Sequence, residues 1–302
     1  MAASKKPRLG FIGPGTVGTA LAHGLAAAGY HVDLLYGRDA SRLRHALSHI
    51  PTARVASTPQ QVVDEADLVF LTVPDDSVAD VAGALTWNTG KSAVHCSGAC
   101  SLELLASAET QGASVGAFHP LQSFAGLEQA LKNLPGSAFA IEASDTALEE
   151  TLDSIARDLG GRPFVVTGEK ALYHASAVIA CNFLVTLLDA SSSLWEAFGL
   201  AGDQGLKALL PLVRGTIENV ETIGLPDALT GPIARGDVGT VDRHLAALRR
   251  SAPELVDLYC ALARRTIPIG RAKGTLSRET ATRLLEHLNV LGQESPDDME
   301  TR

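Results

Sequence analysis

Between an apolar run, Arg8 to Gly13, and an alanine-rich helical stretch, Thr16 to Ala28, the chain carries Gly13-Pro14-Gly15-Thr16-Val17-Gly18. The spacing fits G-x-G-x-x-G. Its context gives the pattern meaning, because a strand precedes it, a helix follows and a second apolar strand comes at His31 to Tyr36. The first glycine permits a tight turn, the second lets the backbone approach a pyrophosphate, and the third allows the helix to pack closely on the strand. The helix N-terminus then offers unpaired N–H groups and the positive end of a dipole to the phosphates. A glycine-rich turn without a ligand is the bland alternative, and the strand–turn–helix context argues against it.

The rest of the N-terminal half repeats the theme. A helix is expected over Ser41 to His49, a third strand at Val55 and a buried one from Asp67 to Val73. Further strands read at Ser92 to Cys96, Ser114 to Phe118, Ser137 to Ile141 and Pro163 to Val166, with helical stretches between most of them. Continuous apolar strands alternating with helices predict an α/β fold, a doubly wound parallel sheet covered on both faces. After Thr167 only helical periodicity remains, so the boundary is expected there. Residues 1–167 read as an NADP-binding Rossmann domain and 168–302 as an all-helical substrate and dimerisation domain, with a frayed polar tail over 293–302. A chain of 302 residues is long enough for both. With aromatic residues at 5%, the cores are expected to be filled mainly by Ala, Leu and Val. The most apolar run, Ala171 to Leu188, is broken by Tyr173, His174 and Asn182 and flanked by Lys170 and Asp189, and reads as a buried helix rather than a membrane span.

The choice of dinucleotide falls at the end of the second strand. An NAD site wants an acidic side chain about 20 residues past the glycines, for the ribose 2′-hydroxyl. Here stand Tyr36-Gly37-Arg38-Asp39, with Arg42 one helical turn on. Arg38 can meet a 2′-phosphate bidentately and Arg42 can add a second cation, so the spacing favours NADP(H). Asp39 either serves NAD or starts the following helix. The net charge of −9 argues against a nucleic-acid binder and gives no reason to expect an anionic membrane as partner. No secretory segment is read at the N-terminus, and Cys96, Cys100, Cys181 and Cys260 have no framework spacing. A cytoplasmic protein with reduced thiols is expected.

Three strand ends carry residues unsuited to a core: Thr72-Val73-Pro74-Asp75, His95-Cys96-Ser97-Gly98 and His119-Pro120-Leu121-Gln122. In an open parallel sheet all three reach the edge where ligands bind. Val73, Pro74 and Ser97 are expected beside the nicotinamide ribose, and Gln122 beside a polar substrate. His119 is the acid/base candidate, or else closes the turn before Pro120. Ser97 either hydrogen-bonds the substrate or caps a helix over Leu102 to Glu109. His95, Cys96, Cys100 and His119 match no zinc spacing, and no metal is expected. Further on, Lys170, Tyr173, His174, Ala177 and Cys181 share one helical stripe, with Asn182 at its margin. Lys170 and His174 there either line a cleft or fan into solvent. Arg235, in Gly231-Pro232-Ile233-Ala234-Arg235-Gly236, either clamps a carboxylate or decorates a linker.

His95-Cys96-Ser97-Gly98-Ala99, His119-Pro120-Leu121-Gln122-Ser123-Phe124, Tyr173-His174-Ala175, Asn182-Phe183-Leu184 and Leu229 through Asp237 together resemble the Rossmann proteins whose C-terminal half is domain of unknown function 2520. More distantly the chain is similar to the superfamily of beta-hydroxyacid, 6-phosphogluconate, pyrroline-5-carboxylate and ketopantoate dehydrogenases and reductases. That resemblance implies a helical second domain that forms a homodimer. Hydroxyacid members carry a catalytic Lys with Asn one turn later. Here Lys170 is followed by His174, and Asn182 comes two turns later still. The His119-Pro120 pair is similar to the His-Pro of prephenate dehydrogenases, where the His binds the substrate hydroxyl.

The expectation is an NADPH-dependent oxidoreductase that passes hydride to a small 2-oxo acid, ketopantoate being the substrate type the resemblance implies. His119 or Lys170 would supply the proton, Ser97, His174, Gln122 and Asn182 would surround the substrate, and Arg235 would hold its carboxylate. An imine reductase of the pyrroline-5-carboxylate type stands beside it, as does a non-catalytic NADP-binding sensor or interaction protein.

Overall fold

The structure, a computed structural model, describes residues 6–291, so the expected frayed tail at 293–302 lies outside the described residues. The chain divides into two compact units, Met1–Asn182 and Phe183–Arg302.

The first unit opens with β1 (Arg8–Ile12), α1 (Thr16–Ala27), β2 (His31–Tyr36), α2 (Ala40–His49) and β3 (Arg54–Val55). It continues through α3 (Pro59–Glu65), β4 (Leu68–Leu71), α4 (Asp75–Gly83), β5 (Ser92–His95) and α5 (Ala106–Thr110). The last elements are β6 (Ser114–Leu121), α6 (Leu127–Asn133), β7 (Ala138–Ala143), α7 (Thr146–Asp158), β8 (Arg162–Val165) and α8 (Lys170–Ala180). The eight strands form one sheet in the order β3-β2-β1-β4-β5-β6-β7-β8. The strand order reverses between β1 and β4, which opens a crevice at the carboxyl ends of those two strands.

The alternation of side chains divides the core into two layers. One face buries Leu9, Phe11, Phe70, Val94, Phe118 and Phe139 beneath α1 and α7, and the other buries Ile12, Val69, Leu71, Ala93 and Val115 beneath α3, α4 and α5. The few aromatic residues are concentrated in the first layer. Phe11 stacks on Phe70 at 4.9 Å, Phe70 meets Phe118 at 5.8 Å and Phe118 meets Phe139 at 4.8 Å, which ties four strands together.

The sheet is parallel from β3 to β6, and then β7 returns antiparallel to β6 before β8 runs parallel to β7. This return lengthens β6 beyond the expected end at Phe118. Residues 118–121 have lost β5 as a neighbour but pair with Ala138–Ile141 on the other side, so His119 lies within a strand and not after one. Pro120 is tolerated because its missing N–H falls where one ladder is absent.

The second unit comprises α9, which opens at Asn182 on the division and runs to Ser193, then α10 (Gly202–Ile223), α11 (Pro232–Arg235), α12 (Val238–Ser251), α13 (Val256–Lys273) and α14 (Arg278–Leu291). Its core joins α12, α13 and α14 through Leu245, Cys260, Ile267, Leu284 and Leu288. The 22-residue α10 buries only Gly205, while Leu212 is 67% exposed and Ile223 56%.

One expectation is corrected here. The stretch from Ala171 to Leu188 is not a buried helix within this chain, since α8 has no buried residue and α9 only Ser192. Leu172 is 70% exposed and Ile179 63%. By length and composition Lys170–Phe198 would pass for a membrane span, and none of its apolar window is buried. An apolar pattern alone does not say whether its own chain covers a segment.

Candidate active site

The glycine turn is shaped by close contacts. Gly13 takes a φ of +98°, its N–H donates to Tyr36 O at 2.8 Å, and Thr72 Oγ1 donates to Gly13 O at 2.6 Å. A Cβ on Gly18 would lie 2.3 Å from Thr72 Oγ1 and 2.8 Å from Gly13 O, so the third glycine allows α1 to press against the turn and β4. Gly15 differs, because a Cβ there would meet nothing within 4 Å. Its space is open, as a cradle for a phosphate requires.

A cavity of 480 Å³ runs along this crevice between Gly13-Pro14-Gly15, Arg38 and Arg42 on one side and Val73-Pro74 on the other. Thr16 and Thr19 line a second hollow beside it, with Arg42 shared between the two. Arg38 and Arg42 are exposed, and Arg38 has no side-chain partner among the described residues. Asp39 caps α2, accepting from Ser41 N at 2.8 Å and Arg42 N at 3.2 Å, so it starts the helix and its carboxylate is engaged there. These hydrogen bonds, that from Arg42 N first, hold its pKa below the usual carboxylate range. Arg42 Nε also lies 3.6 Å from Asp39 Oδ2. An open glycine cradle with two exposed cations and an acid already engaged at the end of β2 fits a dinucleotide bearing a 2′-phosphate.

Beyond this crevice, register gathers the polar side chains. Ile12, Leu71, His95, Ala117 and Glu142 pair in one row across five strands, and His119 stands two residues further along β6 on the face of His95 and Glu142. The first turn of α8 brings Lys170, Tyr173 and His174 to this face, as the helical stripe implied. His119 Nδ1 lies 2.9 Å from the Tyr173 hydroxyl, and its ring is 6.2 Å from that of His174. Lys170 Nζ stands 2.5 Å from Glu142 Oε2 with only 11% of its side chain exposed, which rules out the solvent-facing alternative for Lys170. That contact is an ion pair without hydrogen-bond alignment, and Glu142 Oε2 is buried with no hydrogen-bond donor.

Ser97 does not cap the expected helix, which breaks into a 3-10 turn over Leu102–Leu105 and then α5. Its Oγ accepts from Ala99 N and Cys100 N, both at 3.2 Å, and donates to Asp75 Oδ2 at 2.6 Å. The hydroxyl's one donor and two acceptor positions are thus filled, and it meets a ligand only by releasing Asp75. Gln122 is likewise engaged in its own turn, donating to Asn133 O and Ser137 Oγ and accepting from Ser123 N. Asn182 is exposed at the start of α9. In the second unit Arg235 is exposed between Gly231 and Gly236, both with positive φ, before Asp237 caps α12.

His95 and His119 are both held uncharged near neutral pH. His95 is pulled down to about 4, first by burial and then by Lys170. Ser97 N donates to its Nδ1 at 3.2 Å, so the ring proton is on Nε2 and faces Ser101 O at 3.2 Å. His119 is lowered to about 4 as well, by burial and then by His174, with Lys170 and His95 adding and Asp75 opposing. Burial pushes Tyr173 up to about 12. Sequence reasoning placed Tyr173 on the stripe without a role and did not select Glu142 at all. Its partner Lys170 lies 28 positions away, and only the antiparallel return of β7 joins them.

Gly98 forms one wall against the His119 ring. A Cβ there would come within 2.7 Å of Cε1 and Nε2. Gly98→Ala is therefore expected to destabilise the protein by about 1–3 kcal/mol through overpacking, which a thermal melt reads as a drop of several degrees. An unchanged melt would show that the ring has room to move.

Residues 2–120 match the family described as Rossmann-like domain, and residues 137–266 match the domain of unknown function 2520. None of the curated proteins matches the chain. Among solved structures it is similar to a candidate NADP oxidoreductase of Bacteroides fragilis, at 25% identity and a TM-score of 0.69, over 87% of this chain and 98% of that one. A protein of Thermotoga maritima is 26% identical with a TM-score of 0.71, over 87% and 99%. The 1-pyrroline-5-carboxylate reductase of Streptococcus pyogenes shares the fold at 19% identity and a TM-score of 0.61, over 88% and 98%. The match at 137–266 takes in β7, α7 and β8, so the strands that deliver Glu142 belong to it together with the helices that follow. The chain thus matches a Rossmann-like domain in its N-terminal part and domain of unknown function 2520 in its C-terminal part, on a fold shared with NADP oxidoreductases and pyrroline-5-carboxylate reductases.

Proposed function

We propose that the protein is an NADPH-dependent reductase of a small carbonyl compound, a 2-oxo acid in the first instance. The observation that carries this reading is that one sheet bears two features, an open cradle at Gly15 whose cavity is lined by Arg38, Arg42, Val73 and Pro74, and a polar cluster of His119, Tyr173, Lys170 and Glu142. Bound NADPH supplies a hydride. The chain's own residues then hold the reacting group and provide the proton. His119 hydrogen-bonds the carbonyl oxygen through Nε2. Lys170, held by Glu142, gives its proton to the oxygen as negative charge develops there, and is recharged from solvent. An uncharged His119 donates a hydrogen bond rather than a proton, so the proton is proposed to come from Lys170. His174 completes the wall of the site, and Ser97 holds Asp75 in place.

The pyrroline-5-carboxylate type of imine reduction is the second reading. It is favoured by one observation, that Nε2 of His119 is left for a ligand and can meet an unprotonated imine nitrogen as well as a carbonyl oxygen. The exposed apolar residues of α8 and α10 support a homodimer formed through these helices. Four free cysteines are in keeping with a cytoplasmic location. The test is a titration with NADPH and NADH followed by nicotinamide fluorescence, then addition of 2-oxo acids and cyclic imines. Tight NADPH binding with oxidation by one class is expected. Binding without turnover on any compound would instead indicate a sensor, and absence of binding to either nucleotide would remove the whole reading.

A further inference from the structure

We propose that Tyr173 is a positioning residue that fixes the tautomer of His119 and thereby sets the site to receive a hydrogen-bond acceptor, a carbonyl oxygen or an unprotonated imine nitrogen, and not the N–H of an iminium ion. The inference rests on the reductase reading for its consequence in catalysis, but not for the tautomer itself.

The geometry leaves the His119 ring few choices. Its Nδ1 is 2.9 Å from the Tyr173 hydroxyl, and the two rings are nearly perpendicular at 87°. Phe164 packs on the other side of Tyr173 at 6.0 Å, and Gly98 closes on the imidazole where any side chain would collide. Nε2 has no protein partner among the described residues and is the ring atom left for a ligand. A phenol is a stronger donor than acceptor, because its oxygen lone pair is delocalised into the ring. Tyr173, kept protonated by burial, therefore donates to Nδ1. A neutral imidazole that accepts at Nδ1 must carry its proton on Nε2. The charged and titratable groups around His119 are Asp75 from α4, His95 from β5, and Lys170 and His174 from α8. None of these hydrogen-bonds its ring, so Tyr173 alone selects the tautomer.

His95 supplies an internal reference. A backbone N–H can only donate, so the Ser97 contact fixes the same tautomer there without help from any phenol. The experiment uses the full chain with 15N-labelled histidine and long-range 1H–15N correlation at neutral pH, without substrate. In the wild-type protein His119 is expected as the Nε2–H tautomer. In Tyr173→Phe, which keeps the ring contacts, its ring nitrogens should shift toward a tautomer mixture while those of His95 stay in place, showing that the fold is intact. An Nδ1–H tautomer in the wild type, or unchanged His119 resonances in the variant, would overturn the proposal. The kinetic arm follows turnover of whichever compound is active. Tyr173→Phe should lower kcat about tenfold with the NADPH Kd within twofold, and imine turnover should rise with pH as the unprotonated fraction grows. Turnover that tracks the protonated imine would overturn the acceptor assignment. Failure of NADPH to bind would sink the reductase reading and leave the tautomer result standing, so the two failures are told apart.

Discussion

Exchanging both Arg38 and Arg42 for alanine raises the Kd for NADPH by about 100-fold and moves that for NADH by less than about twofold. A hydrogen bond to a charged group is worth about tenfold or more in affinity, and both guanidinium groups are exposed, so screening by water and salt sets each near the lower end. Two such contacts give about two orders of magnitude. NADH has no 2′-phosphate and loses only weak contacts with the adenosine ribose. Asp39 does not rescue NADH binding, because its carboxylate already accepts from Ser41 N and Arg42 N at the start of α2. The preference should also narrow in the wild-type protein as salt is added. Fluorescence titration of both nucleotides at two ionic strengths checks each part. Equal losses for the two nucleotides would mean that the arginines serve the pyrophosphate or the fold, and the NADP(H) assignment would fall.

Much of this half of the protein is legible because its physics is local. Gly13, Gly15 and Gly18 each meet a backbone requirement within six residues, and the structure gives each a separate reason: positive φ, open space and close packing. Strands buried on both faces announce themselves as unbroken apolar runs, such as Leu68–Leu71. The stripe of Lys170, Tyr173 and His174 follows from helix geometry alone. Register and direction do not follow in this way. Nothing in Ala138–Ala143 states that the strand returns antiparallel, yet that return both lengthens β6 through His119 and puts Glu142 beside Lys170.

Side-chain saturation is another property the sequence cannot display. Ser97 and Gln122 looked like ligands because they are polar at a strand end, but each spends its hydrogen bonds within the protein. Tyr173 looked like part of an apolar stripe, yet its hydroxyl is the one group that reaches His119. Exposure of α8 and α10 escaped for the opposite reason. The run from Ala171 to Leu188 reads as buried, yet an apolar pattern does not state whether its own chain covers it.

Replacing Lys170 by methionine lowers kcat by about 10²- to 10⁴-fold, the range in which a positioned proton donor acts, while the Kd for NADPH stays within twofold. Methionine keeps much of the apolar stem but leaves Glu142 without its counter-charge, so loss of activity alone would not separate proton transfer from a disturbed site. Lys170→Arg makes that separation. Arginine restores the positive charge opposite Glu142 and hydrogen-bonds readily, yet its guanidinium does not release a proton at working pH. If Lys170 is the proton donor, the arginine variant is as slow as the methionine variant on a carbonyl substrate, although its stability returns to that of the wild type. If Lys170 only supplies a charge that orients the substrate, arginine recovers most of the rate. Single-turnover rates for the two variants on one carbonyl substrate therefore decide between proton donation and charge, and an arginine variant that keeps most of the wild-type rate would remove Lys170 from the proton-donor role.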